Sequence, residues 1–230
     1  THMHGDHVLG LPGVLQTMSM FGRTKPLYVY GPSGITDFVD AILRTVRFSL
    51  RFDIFVKDVN KGIVCEGRGY YVMADWAEHT IPTLAYALIE KPRPGRFNPE
   101  RAISLGVPEG PLWSRLQHGQ SIELENGRIV KPEDVLGPER PGRKVVYISD
   151  SRPCERLLEL AAEADVLIHE ATFSDELKDR ALEDMHSTAS EAAIFARKSR
   201  AKILVLTHIS ARYDDPTTLL ICLLYTSPSP

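Results

Sequence analysis

Within six consecutive residues, His2-Met3-His4-Gly5-Asp6-His7, the chain sets three imidazoles and one carboxylate. In extended backbone, alternate side chains point the same way, so His2 and His4 can reach one cation together. Gly5 lets the chain turn sharply, and Asp6 and His7 can then address a second cation beside the first. Neutral imidazole and carboxylate are, with thiolate, the ligands that zinc accepts most readily. A purification tag or a solvated His-rich tail has the same composition. Here the cluster runs straight into Val8-Leu9-Gly10-Leu11-Pro12-Gly13-Val14-Leu15, which reads as the start of a buried helix, and that context sets it apart from a tag.

The elements that must position such a cluster are legible in outline. Residues 10–20 read as a short helix, and Leu27-Tyr28-Val29-Tyr30 as a strand closed by the turn pair Gly31-Pro32. Ile35, Phe38, Val39, Ile42, Leu43 and Val46 recur at helical spacing, which predicts an amphipathic helix over 33–50 with Ser33 as its cap. Residues 52–59, 69–77 and 83–90 are rich in β-branched and aromatic side chains and read as strands. Residues 92–143 change character: many Pro and Gly, few periodic apolar positions and little that looks like core. Lys144-Val145-Val146-Tyr147-Ile148, Asp165-Val166-Leu167-Ile168 and Ile203-Leu204-Val205-Leu206 read as buried strands. A segment over 152–164 reads as helical, with Asp150 a possible cap, and Ser187 or Thr188 can cap an Ala-rich helix ending near Ser199.

Composition bounds the class. The 230 residues suffice for one sizeable domain, and 43% hydrophobic with 25% charged residues is ordinary for a globular protein. Apolar runs are too short to span a bilayer, and no signal peptide opens the chain. Cys65, Cys154 and Cys222 are few, odd in number and far apart, which fits a reducing compartment and argues against a disulfide framework or thiolate-bound zinc. A net charge of −3 does not favour a polyanionic partner. From Lys91 to Lys144, however, ten Lys and Arg face seven Asp and Glu, a local basic excess. By charge alone that stretch is a solvated insertion, although long excursions in compact domains are usually functional or disordered.

The stretch from Thr1 to His7 resembles the His-x-His-x-Asp-His motif of the metallo-β-lactamase superfamily, and residues 8–15 narrow the resemblance to the ribonuclease Z family, endonucleases that trim the 3′ end of precursor tRNA. His169-Glu170-Ala171-Thr172-Phe173, Met185-His186-Ser187-Thr188-Ala189 and Thr207-His208-Ile209-Ser210-Ala211-Arg212-Tyr213 are similar to that family's later boxes. Where the family usually has Gly-Asp-Thr, this chain has Ser149-Asp150-Ser151, which keeps the carboxylate. The resemblance implies two zinc ions, one held by His2, His4, His79 and Asp150, the other by Asp6, His7, Asp150 and His208. On its own His79 reads as a structural histidine at a strand end. The resemblance also implies Asp6 as the residue that orients or deprotonates water, His186 as the leaving-group acid and Glu170 as its orienting carboxylate, with His169 as support. Gly106-Val107-Pro108-Glu109-Gly110-Pro111-Leu112-Trp113 and residues 127–130 resemble the family's protruding arm, so Gly110, Pro111, Arg93 and Arg96 become expected tRNA contacts.

The fold implied is α/β, the four-layer αββα sandwich, as one domain over 1–220 with 92–143 as an inserted arm. A cytoplasmic homodimer is implied too, the arm of one subunit serving the site of the other, with no membrane association. Two other classes stay open: a hydrolase of the same fold acting on a small ester, lactam, sulfate or phosphodiester, and an inactive or merely RNA-binding fragment. The chain opens inside a motif that normally follows a strand, so the expectation is that the N-terminal part of the domain is missing. Residues 221–230 have no helical period and end in Pro-Ser-Pro, which suggests a non-native, adaptor-derived tail. The underlying nucleotide read checks this. Adaptor sequence is expected in the codons for the last nine residues, and a run of codons without adaptor, closed by a genuine stop, would show the tail to be real.

Overall fold

The computed structural model describes residues 1–215 together with Thr217 and Leu219, so the expected tail over 221–230 lies outside the described residues. The chain forms two compact units, Thr1–Ile89 with Lys144–Pro230, and Glu90–Arg143. In chain order the elements are α1 (Gly5–Val8), α2 (Leu11–Met20), β1 (Leu27–Gly31), α3 (Ile35–Thr45), β2 (Ile54–Asp58), β3 (Gly62–Glu66), β4 (Tyr70–Trp76) and β5 (Leu84–Glu90). Then come α4 (Pro99–Ser104), α5 (Pro111–Gln117), β6 (Ile122–Glu123), β7 (Ile129–Val130) and α6 (Pro132–Val135). The chain returns through β8 (Lys144–Ile148), α7 (Leu157–Ala161), β9 (Val166–Glu170), a 3-10 turn at Asp175–Leu177, α8 (Lys178–Glu183), α9 (Ala189–Lys198) and β10 (Leu204–Thr207).

The first unit is built on a six-stranded sheet, ordered β10-β9-β8-β5-β4-β3, and a parallel pair β1-β2. Period-two alternation decides which side chains go where. Met73, Ala85, Ala87, Ile89, Val146, Ile148 and Leu167 turn to one face and pack with Leu157, Leu160 and Ala161 of α7 and Phe195 and Ala196 of α9. Val72, Ala74, Trp76, Leu84 and Tyr86 turn to the other face and pack with Tyr30 of β1. Helix α3 lies against β2 and buries Ile35 and Val39. The layer order is thus helix, sheet, sheet, helix, the αββα sandwich. Strands β8, β9 and β10 run parallel, so their C-terminal ends share one edge of the sheet. Among the described residues, no helix is long and apolar enough to cross a membrane.

Several local readings are corrected. Helix α3 spans Ile35–Thr45, shorter than 33–50, and its cap is not the Ser33 side chain. Gly34 occupies the cap position at φ 103°, and Asp58 at the end of β2 accepts from Gly34 N (3.1 Å) and Thr36 N (3.0 Å) instead. Those bonds and the Thr36 hydroxyl hold the Asp58 carboxyl below its usual pKa. Helix α7 covers Leu157–Ala161 rather than 152–164, and Asp150 does not cap it. Gly5 does not make a sharp turn; it is the first residue of α1. Strand β3 was not anticipated.

The unit Glu90–Arg143 has its own core, against the expectation of little core. Ala102, Val107, Leu116, Ile122, Val130 and Val135 are buried, flanked by Phe97, Leu112 and Trp113. Its helices have six, seven and four residues and its strands two, too short for any period to show in sequence. The unit's ends meet: Glu90 N donates to Arg143 O at 2.9 Å, and Arg93 and Arg140 exchange a pair of backbone bonds. Only glycine permits this approach, because a Cβ on Gly142 would stand 1.9 Å from Glu90 O, and one on Gly95 would stand 1.9 Å from Gly137 O. Leu116→Ala is expected to lower amide protection within Glu90–Arg143 by about 2–5 kcal/mol in native-state hydrogen exchange, leaving the sheet amides unchanged. Equal loss in both units would contradict separate cores.

Candidate metal centre

Each candidate side chain is delivered by the end of an element. Thr1 O accepts from Leu84 N at 2.9 Å, which ties the first residues to the start of β5. His2, Met3 and His4 precede α1, with His4 extended at φ −67°, ψ 147°, and Asp6 and His7 sit in that helix. His79 lies in the loop between β4 and β5, and Asp150, Glu170 and His208 lie at the shared ends of β8, β9 and β10. His208 and Met185 adopt left-handed backbone, φ 55° and 59°, which is costly for residues with a Cβ and turns the chain sharply at both places.

Three sets of ligand atoms converge within 4.8 Å of one another: His2, His4, His79 and Asp150; Asp6, His7 and His208; Asp150, His186 and His208. In the first set, His2 Nε2 stands 3.1 Å from His4 Nδ1, and His79 Nε2 3.3 Å from the same atom. Asp150 Oδ2 lies 3.7 Å from His2 Nε2 and 3.9 Å from His79 Nε2. Tetrahedral ligands bound at about 2.0–2.1 Å would stand about 3.3–3.4 Å apart, so these edges fit one small divalent cation. In the second set, His7 Nε2 lies 3.4 Å from Asp6 Oδ2 and 3.3 Å from Asp150 Oδ2, and His208 Nε2 lies 3.4 Å from Asp150 Oδ1. Asp6 Oδ2 is 4.0 Å from His208 Nε2, and its side chain is 68% exposed, the most open of the group. His7 Nε2 is buried and has no hydrogen-bond partner, as expected of a nitrogen that faces a cation.

The other ring nitrogens fix which tautomers are present. His79 Nδ1 stands 3.0 Å from Met185 O, so it donates, and Nε2 keeps its lone pair. The Thr172 hydroxyl donates to Glu170 Oε2 at 2.7 Å and must accept from His208 Nδ1 at 2.8 Å, so in the neutral ring the lone pair of His208 lies on Nε2. Burial pushes His2 down to about 4 and lowers His79, keeping both neutral at physiological pH. For Asp150, burial favours the acid form, but His208, His7 and the Ser149 hydroxyl outweigh it and hold the carboxyl below its usual range.

Glu170 is the structural hub beside the ligands. Its side chain is fully buried, yet it accepts from Ser151 N (2.7 Å), Thr172 N (3.2 Å), Ser187 N (3.1 Å) and His186 Nδ1 (2.8 Å). These contacts overcome the burial that would raise its pKa and hold it low. Burial alone would lower His186, but the bond and the charge of Glu170 raise it. His169 faces the core against Phe195 and bonds Glu170 O through Nδ1, away from the convergent atoms. Sequence reading missed Thr172, Ser151 and Arg152 as partners of this network; Thr172 could have been found from its place two residues after Glu170 at a strand end.

In the second unit, Gly110 precedes α5 with φ 137°, Pro111 is that helix's first residue, and both are exposed. Arg93 and Arg96 are exposed; Arg93 pairs with Glu90 at 3.4 Å, and Arg96 O accepts from Gly137 N.

This fold and this histidine-aspartate cluster define a metal-dependent hydrolase of the β-lactamase superfamily. Residues 115–209 match the sequence profile of the beta-lactamase superfamily domain. The chain is 51% identical over 215 residues to the ribonuclease Z of Methanosarcina acetivorans, covering 94% of this chain and 70% of that protein. It is 48% identical over 221 residues to the ribonuclease Z of Myxococcus xanthus, with 96% and 72% covered. The crystal structure of human tRNase Z, short form, superposes with a TM-score of 0.66 at 28% identity, covering 94% of this chain and 72% of that one. The chain belongs to the ribonuclease Z family.

The Glu170 hub yields a stability prediction. In Glu170→Gln one side of the amide must turn a donor toward the backbone N–H groups that the carboxylate now satisfies. Denaturant unfolding is expected to show a loss of about 3 kcal/mol or more. A midpoint within error of the parent's would remove Glu170 from that structural role.

Proposed function

We propose that this chain is a zinc-dependent endoribonuclease that removes the 3′ trailer of precursor tRNA by phosphodiester hydrolysis at a two-zinc centre. The observation that carries the reading is the set of His2, His4, His79 and Asp150 beside Asp6, His7 and His208, in a chain about half identical to ribonucleases Z. His2, His4, His79 and Asp150 would hold one zinc, and Asp6, His7, Asp150 and His208 the other, with Asp150 shared. When bound, the pair neutralises charge on the attacked phosphate and lowers the pKa of water at the site. Asp6, the exposed carboxylate of the set, orients that water and takes its proton. His186 protonates the leaving 3′ oxygen. Its Nδ1 is held by Glu170, which leaves Nε2 to carry the proton and supports the cationic form. His169, buried and turned from the site, supports Glu170 rather than reacting.

The unit Glu90–Arg143 serves as the tRNA-binding arm, with Arg93 and Arg96 on phosphates and Gly110 and Pro111 in the loop that meets the RNA. In the cell the reading is of a cytoplasmic homodimer.

Precursor-tRNA cleavage with metal analysis is the direct test. Trailer release with about two zinc ions per chain is expected; hydrolysis of a small ester but not of precursor tRNA would favour another hydrolase of this fold. Asp150→Ala is expected to lose most of the metal, and full retention would refute a shared ligand. Deleting 92–142 across the joined neck is expected to weaken tRNA binding by at least tenfold while hydrolysis of bis-(p-nitrophenyl) phosphate stays within about twofold, because remote contacts position the substrate and the metals carry the chemistry. Equal loss on both substrates would make the arm structural. His186→Ala is expected to keep both metals and bind tRNA, with turnover reduced about 100-fold or more; parental turnover would take His186 out of the mechanism.

A further inference from the structure

We propose that Arg152 is a positioning residue for His186, setting its imidazole through the backbone rather than touching RNA or metal. The inference rests on the role of His186 given above. The guanidinium makes three bonds at once. Nη1 donates to His186 O at 2.5 Å and to Glu191 Oε2 at 2.8 Å, and Nη2 donates to Glu191 Oε1. Both partners of the ion pair are largely buried, with 15% of each side chain exposed.

The geometry is specific to the segment that carries His186. The peptide planes on either side of its Cα are each pinned by a carbonyl. Met185 O meets His79 Nδ1 at 3.0 Å, and His186 O meets Arg152. With both planes held, φ and ψ of His186 are fixed, and the side chain leaves the backbone toward Glu170 Oε1 at 2.8 Å. Met185, at φ 59°, has no intrinsic preference for this turn, so the turn depends on such external bonds.

Arg152 also gathers the neighbouring segments. Its backbone N donates to Glu78 O at 2.7 Å, beside His79, and it follows Asp150 by two residues. Glu191, its carboxylate partner, accepts from Thr188 N at 3.0 Å and closes the capping box at the start of α9. One planar side chain thus joins the Asp150 loop, the His186 carbonyl and the N-terminus of α9. A lysine would keep the charge but cannot offer two donors in a plane to a carboxylate and one of them to a carbonyl as well.

The test is a double-mutant cycle on the metal-loaded protein with precursor tRNA. Arg152→Lys is expected to lower kcat about 10- to 100-fold with KM within about twofold and metal content unchanged. In the His186→Ala background, Arg152→Lys is expected to cost no further activity, because its effect passes through that imidazole. Two equal, multiplying losses would overturn the proposal, as would loss of metal or unfolding of Arg152→Lys, either of which would make the ion pair structural. If His186→Ala alone keeps parental turnover, the reading of His186 fails, which is a separate outcome from additivity.

Discussion

One buried carboxylate organises the sheet edge. Asp150 has 3% of its side chain exposed, and four imidazole nitrogens stand 3.3–3.9 Å from its oxygens. In the neutral rings, the bonds made by the opposite nitrogens put the lone pairs of His79 and His208 on Nε2. Beyond the Ser149 hydroxyl, which donates to Oδ1 at 3.0 Å, a buried carboxylate that faces neutral imidazoles is favoured by a cation among them. The same arrangement that is unfavourable for an apoprotein core is the donor set a divalent metal requires. Metal affinity and local folding are therefore coupled here.

Holding that set in place falls to backbone groups more than to bulk packing. Parallel β8, β9 and β10 bring Asp150, Glu170 and His208 to one edge, and Leu84 N fixes Thr1 beside them. Beyond the edge the chain turns in loops, where donors would be left unsatisfied. Glu170 takes three of them, from Ser151, Thr172 and Ser187, while Ser187 Oγ bonds Ser151 O. Hydrogen bonds to a charged acceptor are worth about 1.5–3 kcal/mol each, enough together to order the loops that carry Ser151, Thr172 and Ser187.

How much of this could be read from the residues depends on the range of the interaction. His2, His4, His7, His79 and His208 converge with Asp150 in the grouping the resemblance implied, because a motif keeps its spacing. Strands β1, β8, β9 and β10 and the Thr188 cap of α9 were legible too, since a period or a capping box is a local signal. The start of α3 was not, because its cap is supplied by Asp58, twenty-two residues on from Thr36. Nor was the core of Glu90–Arg143, whose short elements bury Val107, Leu116 and Val130 without repeating at any period.

Asp150 itself shows why the site needed three dimensions. From its neighbours it was equally a helix cap or a ligand, since a carboxylate after a strand serves either purpose. The structure removes the cap reading by where the neighbouring groups lie. The N–H groups near a cap would approach Asp150 from its own side of the chain, yet apart from the adjacent Ser149 hydroxyl the groups around its oxygens belong to His2, His7, His79 and His208, from other segments of the edge. The helix that follows starts only at Leu157, beyond reach of that carboxylate as a cap. Between them runs Ser151-Arg152-Pro153, whose proline removes a donor and whose arginine turns to Glu191 and His186. The delay before α7 therefore leaves Asp150 free to face the imidazoles, and the residues that cause the delay are those that tie its loop to the segment bearing His186.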